Sequence, residues 1–173
     1  MTTLQTERLD IRNFRPEDWR DLHEMIVQYQ ASEYAQYDDK WPTSEQELQG
    51  IAKWFSEGDS YLAVCQRATG KLIGLVAQNM VERDDGPAPN LGYIFNSDYH
   101  GQGYATEACR ATVDHIFEHT GASKIVTGTA TANEPSCRLL MRLGLRESAK
   151  TPGEFTITRD EWLALRQPPT HLT

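Results

Sequence analysis

The spacing of apolar positions changes several times along the chain, and each change marks an element. Leu9 and Ile11 stand two apart, with Phe14 after Asn13, which predicts an opening strand. Pro16 then starts a helix, because its fixed φ suits the first helical position. Trp19, Leu22, Met25, Ile26 and Tyr29 follow at helical spacing. Residues 30–43 read as a loop rich in Tyr and Asp. Ser44 and Glu47 predict a capping box, with Leu48, Ile51, Ala52, Trp54 and Phe55 as the stripe of a second helix. Apolar runs at 61–65 and 72–77 flank the turn Ala68-Thr69-Gly70-Lys71 and predict a hairpin. Residues 83–89 form a Gly/Pro/Asp loop, and 91–95 return to strand.

The strongest helical pattern follows. Ala105, Ala108, Cys109, Thr112, Val113, Ile116 and Phe117 share one face of a helix running from 103 to about 120, ended by Gly121. A strand at 124–129, a helix at 135–143 stopped by Gly144, and a strand at 155–158 come next. Thr158 and Glu161 cap a last helical turn. The order is β-α-α-β-β-β-α-β-α-β. Hairpins imply antiparallel pairing before residue 95, and the strand–helix–strand unit at 91–129 implies a parallel crossover. The fold class is α/β (α+β), a mixed sheet with helices on its faces. Residues 1–166 are expected to form one domain and 167–173 a flexible tail.

Charge narrows the partners. The 173 residues hold 17 Lys+Arg against 25 Asp+Glu, a net charge of −8. Such a surface repels phosphate polyanions, so no nucleic-acid partner is expected, and it favours cationic ones such as amines. No apolar run is long enough to span a bilayer and the N-terminus lacks a signal-peptide pattern, so a cytoplasmic protein with no membrane partner is expected. Cys65, Cys109 and Cys137 show no CxxC spacing, and Cys65 and Cys109 fall where buried thiols are usual. His115 and His119 stand four apart on the long helix, where a solvent-facing pair is the simpler account than a metal site. No metal is expected.

The segment from Asn96 to Ala108 links a strand directly to the best helix. Gly101 and Gly103 permit backbone conformations closed to other residues, and the helix start beyond them offers free N–H groups at a positive dipole end. This is a pyrophosphate cradle in physical terms. It is neither GxxxxGK[ST] nor GxGxxG, since Thr106 stands at the last place.

At these residues the chain resembles the GNAT superfamily of acetyl-CoA-dependent N-acetyltransferases, and within it the Rim-like branch that acetylates ribosomal-protein N-termini. The family loop Q/R-x-x-G-x-G/A reads His100-Gly101-Gln102-Gly103-Tyr104-Ala105 here. The block from Asn133 to Leu145 resembles the family's N-x-x-S/A helix ending in Gly and an apolar residue. Thr6-Glu7-Arg8-Leu9, Ile11-Arg12, the 70–74 segment and Leu91-Gly92-Tyr93 also fit, so the likeness covers nearly the whole chain. It implies a mostly antiparallel sheet of six to seven strands with helices on both faces.

The resemblance also implies roles. Gly101, Gln102, Gly103, Tyr104, Ala105 and Thr106 would hold the CoA pyrophosphate through backbone N–H groups. His100 stands where Gln or Arg is usual, and a cationic imidazole there would add pH-dependent charge. Tyr93, Ile94 and Phe95 would pair with pantetheine amides as an added strand does. Asn133 would bond the pantetheine arm, and Arg138 or Arg142 could meet a phosphate. The chemistry is direct attack of a neutral amine on the thioester. A backbone N–H near Ile94 is the expected oxyanion donor, and Ser136 the acid that protonates the thiolate. The usual basic Glu is replaced by Asn90 and the usual helix Tyr by Leu140. Glu82, Glu33, Asp38, Asp39 or a water held by Asn90 and Tyr93 remain as substitutes, and Glu107 reads as structural. Tyr34, Tyr37 and Asp38 are candidate acceptor-binding residues, with Tyr29 packing against Trp54. The expected function is acetyl transfer from acetyl-CoA to a protein N-terminus or small cationic amine. The alternative is a non-catalytic acetyl-CoA-binding module. Monomer and homodimer are both open.

Overall fold

The computed structural model describes residues 2–167. Its strands are β1 (Thr3–Gln5), β2 (Leu9–Asn13), β3 (Tyr61–Gln66), β4 (Leu72–Ala77), β5 (Met80–Val81), β6 (Ala88–Pro89), β7 (Gly92–Phe95), β8 (Lys124–Gly128), β9 (Arg146–Glu147) and β10 (Glu154–Thr158). Its helices are α1 (Trp19–Gln30), α2 (Glu45–Ser56), α3 (Tyr104–His119), α4 (Glu134–Arg142) and α5 (Arg159–Arg166). The order expected from the sequence is present. Too short to show a period, β1, β5, β6 and β9 went unread. The last helical turn is a full helix of eight residues. Of the expected tail, Gln167 caps α5, and 168–173 lie outside the described residues.

The caps follow the side-chain chemistry. Thr158 and Glu161 make the expected reciprocal box. Ser44 also accepts from Glu47 N–H, but the Glu47 carboxylate takes the Ser44 hydroxyl at 2.5 Å rather than the backbone N–H, so that box is half formed. Residues 30–43 are not plain loop: Glu33–Tyr37 is a 3-10 segment whose entry Ser32 caps by accepting from Tyr34 N–H.

The sheet departs from the expectation in one respect that matters. Strands β1-β2-β3-β4-β7 form one antiparallel sheet and β8-β10-β9 a second. The expected single sheet of six to seven strands is therefore split. The crossover through α3 is parallel as expected, but it closes at a single bridge, Asn90 to Val126. Leu91 N–H donates to Val126 O at 2.9 Å and the Thr127 hydroxyl to Leu91 O at 2.6 Å, after which the strands part. β10 draws β8 away: Thr129 N–H donates to Gly153 O at 2.8 Å. Gly153 sits at φ +82°, and a Cβ there would stand 2.3 Å from Thr129 O, so only glycine lets the backbones close.

Apolar residues fill both faces of the first sheet. Ile11, Val64, Val113, Ile116, Phe117 and Phe155 belong to the core under α3 and α4. Leu22, Ile26, Leu48, Phe55, Leu75 and Ile94 form the core under α1 and α2. Trp54 leaves its expected stripe: it is 58% exposed and packs on Tyr61 and Phe55, not on Tyr29. No helix among the described residues is long and apolar enough to cross a membrane.

Candidate functional site

A cleft of about 660 Å3 opens where β7 and β8 part. It is lined by the β7 edge, the end of β8, the loop into α3, α4, and the end of α1 with its 3-10 extension. Its size suits a cofactor arm and a small acceptor together.

The β7 edge supplies backbone groups. Asn96 N–H donates to Ile73 O at 2.8 Å, and the antiparallel register then pairs Ile94 with Leu75 and Gly92 with Ala77. Alternation turns Ile94 N–H toward β4 and leaves the N–H and C=O of Tyr93 and the N–H of Phe95 open to the cleft, while Phe95 O is met by His100 Nε2 at 2.9 Å. Leu91, of the same parity, already bonds β8 on that side. The backbone N–H groups near Ile94 that face the cleft are therefore those of Tyr93 and Phe95, and Ile94 itself lines it.

The glycine loop is built as a row of donors. Gly101 and Gly103 have φ of +74° and +83°, the left-handed region that L side chains resist. The first helical bond of α3 is Glu107 N–H to Gly103 O. Among the described residues, no protein acceptor meets the N–H groups of Gly101 through Thr106. Such a row at a helix N-terminus suits a diphosphate. Gly101, Gly103, Tyr104, Ala105 and Thr106 line the cleft, but Gln102 does not. Gln102 faces Arg8, whose Nη1 donates to its carbonyl at 2.8 Å. The Tyr104 ring is buried under the Arg8 guanidinium, 4.2 Å from its centroid, so this residue offers its backbone and not its side chain.

Glu107 locks this arrangement to the N-terminal strands. Its carboxylate accepts from the Thr6 hydroxyl at 2.6 Å, Arg8 N–H at 2.9 Å and Arg8 Nε at 2.7 Å. Burial pushes the Glu107 carboxyl up, but these bonds outweigh it and hold it below the ordinary carboxylate range. The structural reading of Glu107 stands.

His100 lines the cleft, and its Nε2 meets Phe95 O at 2.9 Å, so one ring nitrogen braces the loop. Arg142 lines the cleft as well, donating to the Thr106 hydroxyl at 3.3 Å, with no carboxylate at ion-pair distance among the described residues. Arg138 faces outward, paired with Glu134 at 3.2 Å, and does not line the cleft.

Helix α4 brings in the chemistry. Asn133 Oδ1 accepts from Ser136 N–H at 3.4 Å, so this amide caps the helix and keeps its Nδ2 for a ligand. Ser136 Oγ stands 2.6 Å from Tyr93 Oη, a short hydroxyl–hydroxyl bond across the cleft. Burial pushes the Tyr93 phenol far above its ordinary value, only partly offset by the Ser136 bond. Tyr93 therefore stays protonated and is no base. Asn90 lines the cleft, with Nδ2 3.4 Å from Asn79 Oδ1. Leu140 is core, 1% exposed.

Acceptor candidates converge as expected. Tyr34, Tyr37 and Asp38 all line the cleft. Glu33, Asp39 and Glu82 do not, and among the described residues Asp38 is the one carboxylate on its walls. Tyr29, expected to pack, also lines it and directs its hydroxyl at Asp38 Oδ2, 3.3 Å away. Burial, and secondarily Asp38, pushes the Tyr29 phenol up to about 12. Gln28 was missed: its Oε1 accepts from Ser97 N–H and Oγ at 3.2 and 3.0 Å, tying α1 to the segment before the glycine loop. Nothing in a lone polar helix residue signals a partner so distant. The thiols stay out of the site: burial pushes Cys65 up to about 11 and Cys109 further still.

Comparison with known proteins agrees with this architecture. A family model described as an acetyltransferase (GNAT) domain matches residues 8–146. An uncharacterized N-acetyltransferase, p20, of Bacillus licheniformis is 27% identical over 154 residues, covering 85% of this chain and 84% of that protein. The ribosomal-protein-S5-alanine acetyltransferase of Vibrio fischeri is similar in fold, with TM-score 0.77 at 18% identity over 97% of this chain and 100% of that chain. RimL, a ribosomal L7/L12 alpha-N-protein acetyltransferase solved in complex with coenzyme A, gives TM-score 0.75 at 16% identity over 92% and 99%. The chain belongs to the GNAT family of acetyltransferases.

Proposed function

We propose that residues 1–166 act as one acetyltransferase domain that moves the acetyl group of acetyl-CoA to an amine by direct attack in a ternary complex. The observation that carries this reading is the unpaired N–H row of Gly101 to Thr106, opening onto a cleft edged by free backbone groups of β7. The diphosphate sits on that row with Arg142 as its counter-charge. The pantetheine arm lies along Tyr93 and Phe95, held also by Asn133. When bound, the thioester supplies an acyl group with a good leaving thiolate.

The residues then do the following. The amine lone pair attacks the thioester carbon, and a backbone N–H of Tyr93 or Phe95 meets the oxyanion. The new C–N bond forms as the C–S bond breaks. Ser136 gives its proton to the departing thiolate and takes one in turn from the Tyr93 phenol 2.6 Å away, and the proton that the nitrogen sheds to water restores the pair. With Asn90 and Leu140 in place of titrating groups, the attacking amine enters neutral or loses its proton to water. The net charge of −8 and Asp38 favour a cationic acceptor, with Tyr34 and Tyr37 as its aromatic walls. We place the protein in the cytoplasm, as a monomer or homodimer without nucleic-acid or membrane partners, on its acidity and lack of an apolar span.

Thiol release from acetyl-CoA across a panel of amines tests the reading. Amine-dependent release with the acetylated amine as product is the expected result. Tight acetyl-CoA binding with no release from any amine would favour a non-catalytic module, the reading that Asn90 and Leu140 support.

A further inference from the structure

We infer that the acceptor carries a second positive charge besides the nitrogen that is acetylated, and that Asp38 holds that second charge; this rests on the acetyl-transfer reading above. Among the described residues, Asp38 is the only carboxylate on the cleft walls, and no cation pairs with it. It is held in place from both sides. Oδ1 accepts from Asp39 N–H at 2.9 Å, and Oδ2 from the Tyr29 hydroxyl at 3.3 Å. Tyr29 Oη also reaches Tyr34 O at 3.3 Å, so one phenol fixes both the carboxylate and the 3-10 segment that carries Tyr34 and Tyr37. The result is an oriented anion beside tyrosine rings, a setting that attracts ammonium groups by charge and by the ring faces.

The nitrogen that attacks must arrive as a neutral amine. An ammonium held by a carboxylate keeps its proton and its lone pair is unavailable for attack. Asp38 already accepts a bond at each oxygen, from Asp39 N–H and from the Tyr29 hydroxyl. Its chemistry fits a cation that remains charged throughout the reaction, borne elsewhere on the same acceptor. The substrate class is an oligoamine, or a peptide whose amino terminus is followed by a basic side chain. Tyr29 is a positioning residue, acting through Asp38.

Steady-state rates at saturating acetyl-CoA would test this with diaminobutane against butylamine, and with an Ala-Lys peptide against Ala-Ala. Wild-type KM should be about ten-fold lower for the dication of the favoured pair, the size of one charge-assisted contact. Asp38→Asn should erase that difference through KM and leave kcat nearly unchanged; Tyr29→Phe should erase part of it. The pair that shows the effect identifies the source of the second charge. Equal KM values within both pairs would overturn the inference while leaving acetyl transfer intact. A fall in kcat for mono- and diamines alike in Asp38→Asn would also overturn it, by making Asp38 the base. Calorimetric titration of diaminobutane into the CoA-loaded protein reads the same point without turnover: weaker binding in Asp38→Asn supports the inference, and unchanged binding sinks it.

Discussion

At the residue scale, the cleft assigns different work to groups that look alike in the sequence. Ser136 and Tyr93 share a 2.6 Å bond, and burial keeps the phenol protonated, so Tyr93 can stand as a proton donor behind the serine but not as a base. Ser136→Ala should lower kcat by about 100-fold or more, while acetyl-CoA affinity changes by less than about two-fold. Tyr93→Phe should cost less, since Ser136 remains. With no titrating base in the cleft, log(kcat/KM) should rise with pH until it levels at the acceptor's own pKa, and amines of different basicity should level at different pH. A plateau fixed across amines would reveal a protein base. Arg142 and His100 separate in the same way. Arg142→Gln should weaken acetyl-CoA binding about ten-fold at low salt and by less at high salt, as one charge contact would. His100→Gln should show a weaker salt effect, since its Nε2 already serves Phe95 O. Direct binding titrations at two ionic strengths check both.

At the element scale, the site depends on how α3 is anchored. Glu107 ties its first turn to Thr6 and Arg8, 99 residues or more away in sequence. Its carboxyl is held below the ordinary value, so it stabilises the fold fully above the unfolded value of about 4.3, and the contribution is lost as pH falls below that. Glu107→Gln should lower stability at neutral pH by about 1–2 kcal/mol, allowing for the partly open setting. Its denaturation curve should approach the wild type's near pH 3. A difference that stays constant with pH would remove the charge from the account. The helix itself was legible in the sequence, from an apolar face of seven residues and a glycine start. The clasp was not, because a Glu in a first helical turn reads as dipole compensation until its partners are brought near. The 3-10 segment at Glu33–Tyr37 escaped for a related reason: five residues carry too little periodicity to mark it.

At the scale of the whole molecule, the function comes from a sheet that fails to close. Strand order, the hairpin at β3–β4 and the parallel crossover could all be read from periodicity and turn residues. The split could not, since β8 pairs along its length with β10, a partner distant in sequence that leaves no local signature. The glycine loop was legible from residue type and spacing, and the resemblance to the family pointed to the Asn133 block and to Tyr34 and Tyr37, which also line the cleft. The edge-facing parity of Tyr93 and Phe95, the position of Glu33, Asp39 and Glu82 outside the cleft lining, and the role of Gln28 needed the assembled walls.

The central claim is that the N–H row of Gly101 to Thr106 cradles acetyl-CoA. A thermal melt titrated with acetyl-CoA, with ATP and NAD as controls, tests it in wild type and in Gly103→Val. Ligand at 100 times its dissociation constant adds about 2.7 kcal/mol, which should raise the wild-type midpoint by roughly 5–10 °C. Valine cannot comfortably hold φ +83°, so the variant should melt lower and show no ligand-dependent rise. No rise in the wild type, or an equal rise in Gly103→Val, would contradict the cradle and the account of function built on it.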